Sequence, residues 1–125
     1  MDTRDPQTYA IIGVAMEVYN ELGSGFLEGV YQDAMEIDFQ NKRIPYSREY
    51  SVPIQYKGNQ LGTPYRADFY CYQSIIVELK AIQQITDIEI AQTLHYLKAT
   101  STERGLLINF GKSKLDYKRL ILSKH

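Results

Sequence analysis

Hydrophobic positions recur every three or four residues in three stretches of this chain, and every two residues or without interruption in five others, which predicts the order helix, helix, three strands, helix, two strands. Asp5-Pro6 offers a capping acid with proline at the first helical position. Ile11, Ala15, Val18 and Leu22 follow at helical spacings, so a helix should run until Gly23-Ser-Gly25 ends it. A second helix should begin near Leu27-Glu28 and reach about Lys42, with Val30, Ala34 and Ile37 on one side and Tyr31 and Met35 beside them. Pro45 blocks its continuation. Extended stretches follow at about 46 to 56 and 64 to 71, with Lys57-Gly-Asn-Gln60 as the turn between them, and a further strand at 74 to 81. Thr86-Asp-Ile-Glu89 is a capping box, opening a helix that should direct Ile90, Leu94 and Leu97 inward. The nearly continuous apolar run from Arg104 to Phe110 reads as a strand covered on both faces, and Tyr117 to Leu122 as the last strand. No repeat or linker divides the 125 residues, so the expectation is one α/β domain over 1–125, a central mixed sheet flanked by helices in the order ααβββαββ.

Two charges break this apolar pattern where it is strongest. In Ser74-Ile-Ile-Val-Glu-Leu-Lys-Ala81, period two puts Ile76, Glu78 and Lys80 on one face and Ile75, Val77, Leu79 and Ala81 on the other. An unpaired charge in a buried strand costs several kcal/mol, so these groups should coordinate something or neutralise each other. In the preceding strand, period two groups Arg66, Asp68 and Tyr70 against Tyr65, Ala67, Phe69 and Cys71. If Tyr72-Gln73-Ser74 is a three-residue connection, Cys71 pairs with Ile75 and Asp68 falls opposite Glu78. A two-residue turn would split the carboxylates across the sheet. Two carboxylates joined by a backbone carbonyl such as that of Leu79 make a hard-oxygen site suited to Mg²⁺ or Mn²⁺ rather than zinc, with Lys80 alongside. The alternative is a salt bridge between Glu78 and Lys80 on a sheet edge.

Composition narrows the surroundings. The formal net charge is −1, yet residues 101 to 125 carry six Lys/Arg against two Asp/Glu. Lys112, Lys114, Lys118, Arg119 and Lys124 therefore lie around the last strand, able to follow a phosphate backbone or to protect a solvated edge. The single Cys71 excludes an internal disulfide and reads as core filling. No stretch has the roughly 20 apolar residues of a membrane span, and the first residues lack signal-peptide character, so the expected location is the cytoplasm.

Asp68 followed by Glu78-Leu79-Lys80 resembles the signature of the PD-(D/E)XK nuclease superfamily. Gly25-Phe-Leu-Glu28-Gly-Val-Tyr31 matches the GxxExxY motif of a family of small bacterial and archaeal proteins within it. Gln92-Thr-Leu-His-Tyr96-Leu97 is similar to the QxxxY motif of the RecB-like branch. Arg66-Ala67-Asp68, Val77-Glu-Leu-Lys-Ala81 and Gly105-Leu-Leu-Ile-Asn-Phe-Gly111 extend the resemblance from about residue 8 to residue 122. It departs from the pattern at Ala67, where the name-giving proline would stand.

The resemblance implies a restriction-endonuclease-like core, Asp68 and Glu78 as metal ligands, and Lys80 as the catalytic lysine. Glu28 would add a carboxylate through water. Gln92 and Tyr96 would flank the site, Gln92 reaching Lys80 or a phosphate. By spacing alone, Gln92 and Tyr96 share a helical face, as do Glu28 and Tyr31, while His95 points about 100° away. Taken singly, Glu28 also reads as a helix-starting acid, Tyr31 and Tyr96 as buried tyrosines with satisfied hydroxyls, and Gln92 as a surface amide. The expected function is a Mg²⁺- or Mn²⁺-dependent nuclease acting on nucleic acid, DNA foremost, in a homodimer that doubles the basic tail. The alternatives are a catalytically silent nucleic-acid-binding or protein-interaction module with the same fold, and a metal-dependent phosphohydrolase of free nucleotides.

Overall fold

The structure is a computed structural model describing residues 5–122, so Lys124 lies outside the described residues. Helix α1 (Pro6–Leu22) starts at the expected cap: the Asp5 carboxylate accepts from the Thr8 amide at 3.1 Å and from its hydroxyl at 2.6 Å. It ends at Gly23, whose φ of 71° suits a residue without Cβ. Helix α2 (Glu28–Asn41) buries Tyr31, Met35 and Phe39, one residue per turn. The side expected from Val30 and Ile37 faces solvent instead, with these two 38% and 58% exposed. Three large side chains four apart remove more apolar area from water than smaller ones on a neighbouring stripe.

Strands β1 (Tyr46–Val52), β4 (Tyr65–Cys71), β5 (Ile75–Lys80), β6 (Arg104–Asn109) and β7 (Asp116–Ile121) form one mixed sheet in the order β1-β4-β5-β6-β7. The expected stretch from 46 to 56 breaks at Pro53, which cannot donate to a ladder. Beyond it, β2 (Gln55–Tyr56) and β3 (Asn59–Gln60) make a separate two-stranded ribbon. Helix α3 (Asp87–Ala99) is the crossover that lets β5 and β6 run parallel, whereas the other pairs in the sheet are antiparallel. Its capping box is as expected, with the Thr86 amide donating to Glu89 Oε1 at 2.6 Å and the Ile88 amide to Thr86 Oγ1 at 3.2 Å. Leu97 is buried with Thr93, Leu94 packs beside them, and Ile90 is half-buried.

The helices cover opposite faces of the sheet. Residues of α1 and α2 pack with Phe69, Cys71, Ile75, Val77, Leu79, Leu106 and Ile108 in one core. Leu97 of α3 packs with Tyr65, Ala67 and Ile76 in a second. Cys71 is buried core filling, and burial pushes its thiol up to about 12. Among the described residues, no helix is long and apolar enough to cross a membrane.

Candidate metal centre on the central strand

The β4–β5 connection obeys the odd count that the site requires. Tyr72-Gln73-Ser74 links the strands, Cys71 pairs with Ile75, and Phe69 pairs with Val77. Tyr72 and Gln73 both take positive φ, 55° and 53°, without glycine. Left-handed backbone costs such residues of order 1 kcal/mol each. Bonds from the Tyr72 amide to the Pro45 carbonyl at 2.9 Å and from the Ser74 amide to the Cys71 carbonyl at 3.0 Å hold the turn.

Beyond Phe69 and Val77 the ladder between β4 and β5 stops. There Asp68 Oδ2 accepts from the Leu79 amide at 2.7 Å, a side chain taking the place of a strand's carbonyl. The N–H and C=O of one strand residue point to the same edge, so the Leu79 carbonyl faces this gap as well. The opposite neighbour of Asp68 in β1 is Glu49, whose φ of 54° interrupts the β1–β4 register between the pairs Arg48–Phe69 and Tyr50–Ala67. Here the alternation slips. Phe69 and Cys71 face α1 and α2, whereas Tyr65 and Ala67 face α3, so grouping all four on one face is corrected. Strict period two holds only along a regular ladder, and the β1–β4 ladder is interrupted where Glu49, in left-handed backbone, stands opposite Asp68.

Asp68 and Glu78 are both half-buried. Burial raises the Asp68 carboxyl, the Leu79 amide opposes that rise, the Glu28 and Glu49 charges add to it, and Lys80 counters it. Glu78 is pushed up to about 7, first by burial and then by the Asp68 charge, against the lowering effects of Tyr65 and Lys80. The Tyr65 hydroxyl donates to Glu78 Oε1, and burial with the Glu78 charge raises that phenol, keeping it a donor. Tyr65 itself stacks on Tyr96 of α3 with ring centroids 3.8 Å apart.

The other expected residues are distributed around this pair. Glu28, the first residue of α2, is exposed, and its charge reaches Asp68. Among the described residues no three Asp, Glu, His or Cys side chains gather into one metal-binding cluster. Gln92 is exposed and donates to the Tyr96 hydroxyl at 3.4 Å, so its described partner is Tyr96 rather than Lys80. His95 is exposed. Tyr31 is fully buried, its hydroxyl donating to the Gly23 carbonyl at 2.7 Å and accepting from the Phe26 amide at 3.2 Å. With Gly25 at a φ of 109°, it shapes the α1–α2 loop that delivers Glu28. Lys112 lies 3.8 Å from Asp116, while Lys114, Lys118 and Arg119 are exposed. Lys118 and Arg119 are consecutive in β7 and therefore project to opposite faces.

Four contributors escape a reading of motifs. Gln32 donates to the Asp68 carbonyl at 3.2 Å and to Glu49 Oε2 at 3.0 Å, tying α2 to the break in β4. Its place four residues after Glu28, on the same helical face, is a signal the sequence carries. Tyr65 and Glu49 have no such signal, because their roles depend on the slipped alternation. Asn109, fully buried, accepts from the Ile82 and Gly111 amides and donates to the Ile82 carbonyl, each at 3.0 Å. It thereby fixes the chain just beyond Lys80.

The donor set fits a hard divalent cation. Burial raises both carboxylates, Asp68 further through the Glu28 and Glu49 charges and Glu78 through that of Asp68, and with the Leu79 carbonyl beside them added positive charge would relieve both. A family profile described as the PD-(D/E)XK nuclease superfamily matches residues 5–120 of the chain. No curated protein matches. Among solved structures, the crystal structure of SSO0001 is similar at a TM-score of 0.57 and 16% identity, over 78% of this chain and 52% of that one. That likeness is one of fold, and the chain spans about half the length of that structure.

Proposed function

The chain belongs to the PD-(D/E)XK nuclease superfamily, and on that footing we propose that it is a Mg²⁺- or Mn²⁺-dependent nuclease hydrolysing phosphodiester bonds in the cytoplasm. The observation that carries this function is the pair of half-buried carboxylates, Asp68 and Glu78, where β4 and β5 part, both raised from their ordinary values and Glu78 to about 7. Asp68, Glu78 and the Leu79 carbonyl would hold the ion, with Glu28 contributing through water. Such an ion supplies positive charge to a phosphoryl oxygen and acidity to a nearby water.

The chain's own groups do the positioning. Tyr65 orients Glu78 through its hydroxyl, and the Leu79 amide orients Asp68. Lys80 orients the attacking water and steadies negative charge developing on the phosphate, while Gln92 and Tyr96 border the substrate on the α3 side. Lys112, Lys114, Lys118 and Arg119 supply phosphate contacts along the β7 edge.

A silent binding module has one observation in its favour: no third carboxylate joins Asp68 and Glu78 in a cluster among the described residues. Incubation with supercoiled, linear and single-stranded DNA, with RNA and with free nucleotides, in Mg²⁺ or Mn²⁺, separates the functions. Metal-dependent cleavage of nucleic acid lost in both Glu78→Ala and Lys80→Ala, by about 10³-fold or more, is the expected result. Binding without cleavage under every condition would establish the module, and turnover of free nucleotides alone a phosphohydrolase.

A further inference from the structure

Between Glu49 and Asp68 the chain holds no acidic residue and two basic ones, Lys57 and Arg66, in a protein of net charge −1. At the middle of that stretch the β2–β3 ribbon buries nothing: Gln55, Tyr56, Asn59 and Gln60 are all exposed, as are Lys57 and Leu61. The ribbon is nevertheless well built. Gln55 pairs with Gln60 and Tyr56 with Asn59, and below them the Leu61 amide donates to the Ile54 carbonyl at 2.8 Å. Lys57-Gly58 closes the turn in two residues of positive φ, 51° and 79°, as a tightly twisted hairpin requires. The Asn59 side-chain Nδ2 donates to the Lys57 carbonyl at 3.3 Å, and Lys57 Nζ lies 5.3 Å from the centroid of the Tyr56 ring.

The base of the ribbon is fixed at the candidate site. Val52 opposes Tyr65, and Val52 and Ile54 pack in the same cluster as Tyr65 and Tyr96. Tyr65 is the residue whose hydroxyl holds Glu78. A two-stranded ribbon matches the B-form major groove, about 12 Å wide and 8.5 Å deep. Lying along the groove with one face on its floor, the ribbon carries Lys57 two residues beyond Gln55, roughly 7 Å at about 3.3 Å each, toward the phosphates at the groove's rim. The major groove of A-form RNA is too narrow to admit it. Gln55 and Gln60 face each other across the ribbon and so present their amides on one side, the donor and acceptor pattern that reads adenine.

Building on the nuclease function above, we propose that the β2–β3 ribbon enters the major groove of duplex DNA beside the cleavage site, with Lys57 on a phosphate and Gln55 and Gln60 at base edges. The test measures binding of fluorescent DNA duplex, single-stranded DNA and RNA duplex in chelator, and cleavage in Mg²⁺, for the wild type, Lys57→Ala and Gln55→Ala/Gln60→Ala. These side chains are exposed, so unchanged thermal midpoints will show that the fold is intact. Lys57→Ala should weaken duplex DNA binding about five- to tenfold and reduce its salt slope by about one. The double variant should weaken it about tenfold or more, with RNA duplex binding unchanged in both. Equal losses on single strands, or duplex binding unaffected in both variants, would overturn the ribbon's role. Should the wild type cleave and the variants bind and cleave as it does, the nuclease stands without the ribbon. Ribbon-dependent binding with no cleavage by any protein keeps the groove contact and removes the hydrolysis. Absence of duplex binding by the wild type would overturn the groove contact directly.

Discussion

Glu78 ionises about where neutral buffers lie, which makes its titration measurable. Unfolded, a glutamate releases its proton near 4.5; folded, Glu78 does so at about 7. Its contribution to the stability of the metal-free protein is thus complete below pH 4.5, declines through the window to about 7, and is lost above it. In chelator, the wild-type thermal midpoint should fall across that window by more than that of Glu78→Gln, and the variant should be the more stable by several degrees at pH 8. A variant that tracks the wild type at every pH would contradict the burial and charge repulsion assigned to this side chain. Asp68 and Glu78 were legible as a pair from residue types and spacing. Tyr65 was not, since nothing in a list of residues announces that its hydroxyl meets Glu78.

At the scale of elements, the α1–α2 loop and the turn after β5 carry the candidate site. Tyr31→Phe would leave the Gly23 carbonyl and the Phe26 amide without their hydroxyl, at a cost of about 1–3 kcal/mol. Its midpoint should drop while cleavage, where measurable, persists at the wild-type rate below that temperature. Loss of activity at full stability would instead make Tyr31 part of the chemistry. Gly111 is equally constrained, because a Cβ there would lie 2.2 Å from the Ile82 carbonyl oxygen and 2.4 Å from its nitrogen. Gly111→Ala should cost about 3 kcal/mol or more, read in a denaturant titration, because backbone rather than a flexible side chain must give way. Helix starts were legible here through local chemistry, as at Asp5-Pro6 and Thr86 to Glu89. The buried stripe of α2 was not, because Val30, Ala34 and Ile37 form one apolar stripe and Tyr31 and Met35 another about 100° round the helix, and only the sheet beneath decides which turns inward.

For the whole molecule, a divalent ion that binds the folded protein alone should stabilise it by mass action, about 2.7 kcal/mol at a hundred times Kd. Mg²⁺ or Mn²⁺ should therefore raise the wild-type midpoint and leave an Asp68→Asn/Glu78→Gln variant unmoved. An equal rise in both would place the ion elsewhere. Two copies side by side would double the basic edge, and sedimentation of the metal-bound protein on short DNA would reveal them.

The fold class, the order of the main elements and the odd connection that pairs Cys71 with Ile75 were written in the sequence, as was the pairing of Asp68 with Glu78 as candidate ligands, because period, caps and charge placement are local properties. Only the assembled sheet decided where regularity fails. The positive φ at Glu49, the slip at Asp68 and the end of the ladder beyond Phe69 arise from strands diverging as neighbours from distant parts of the chain are fitted together. That divergence turns the Leu79 amide toward Asp68 and sets Tyr65 against Glu78, contacts that long-range packing alone can create.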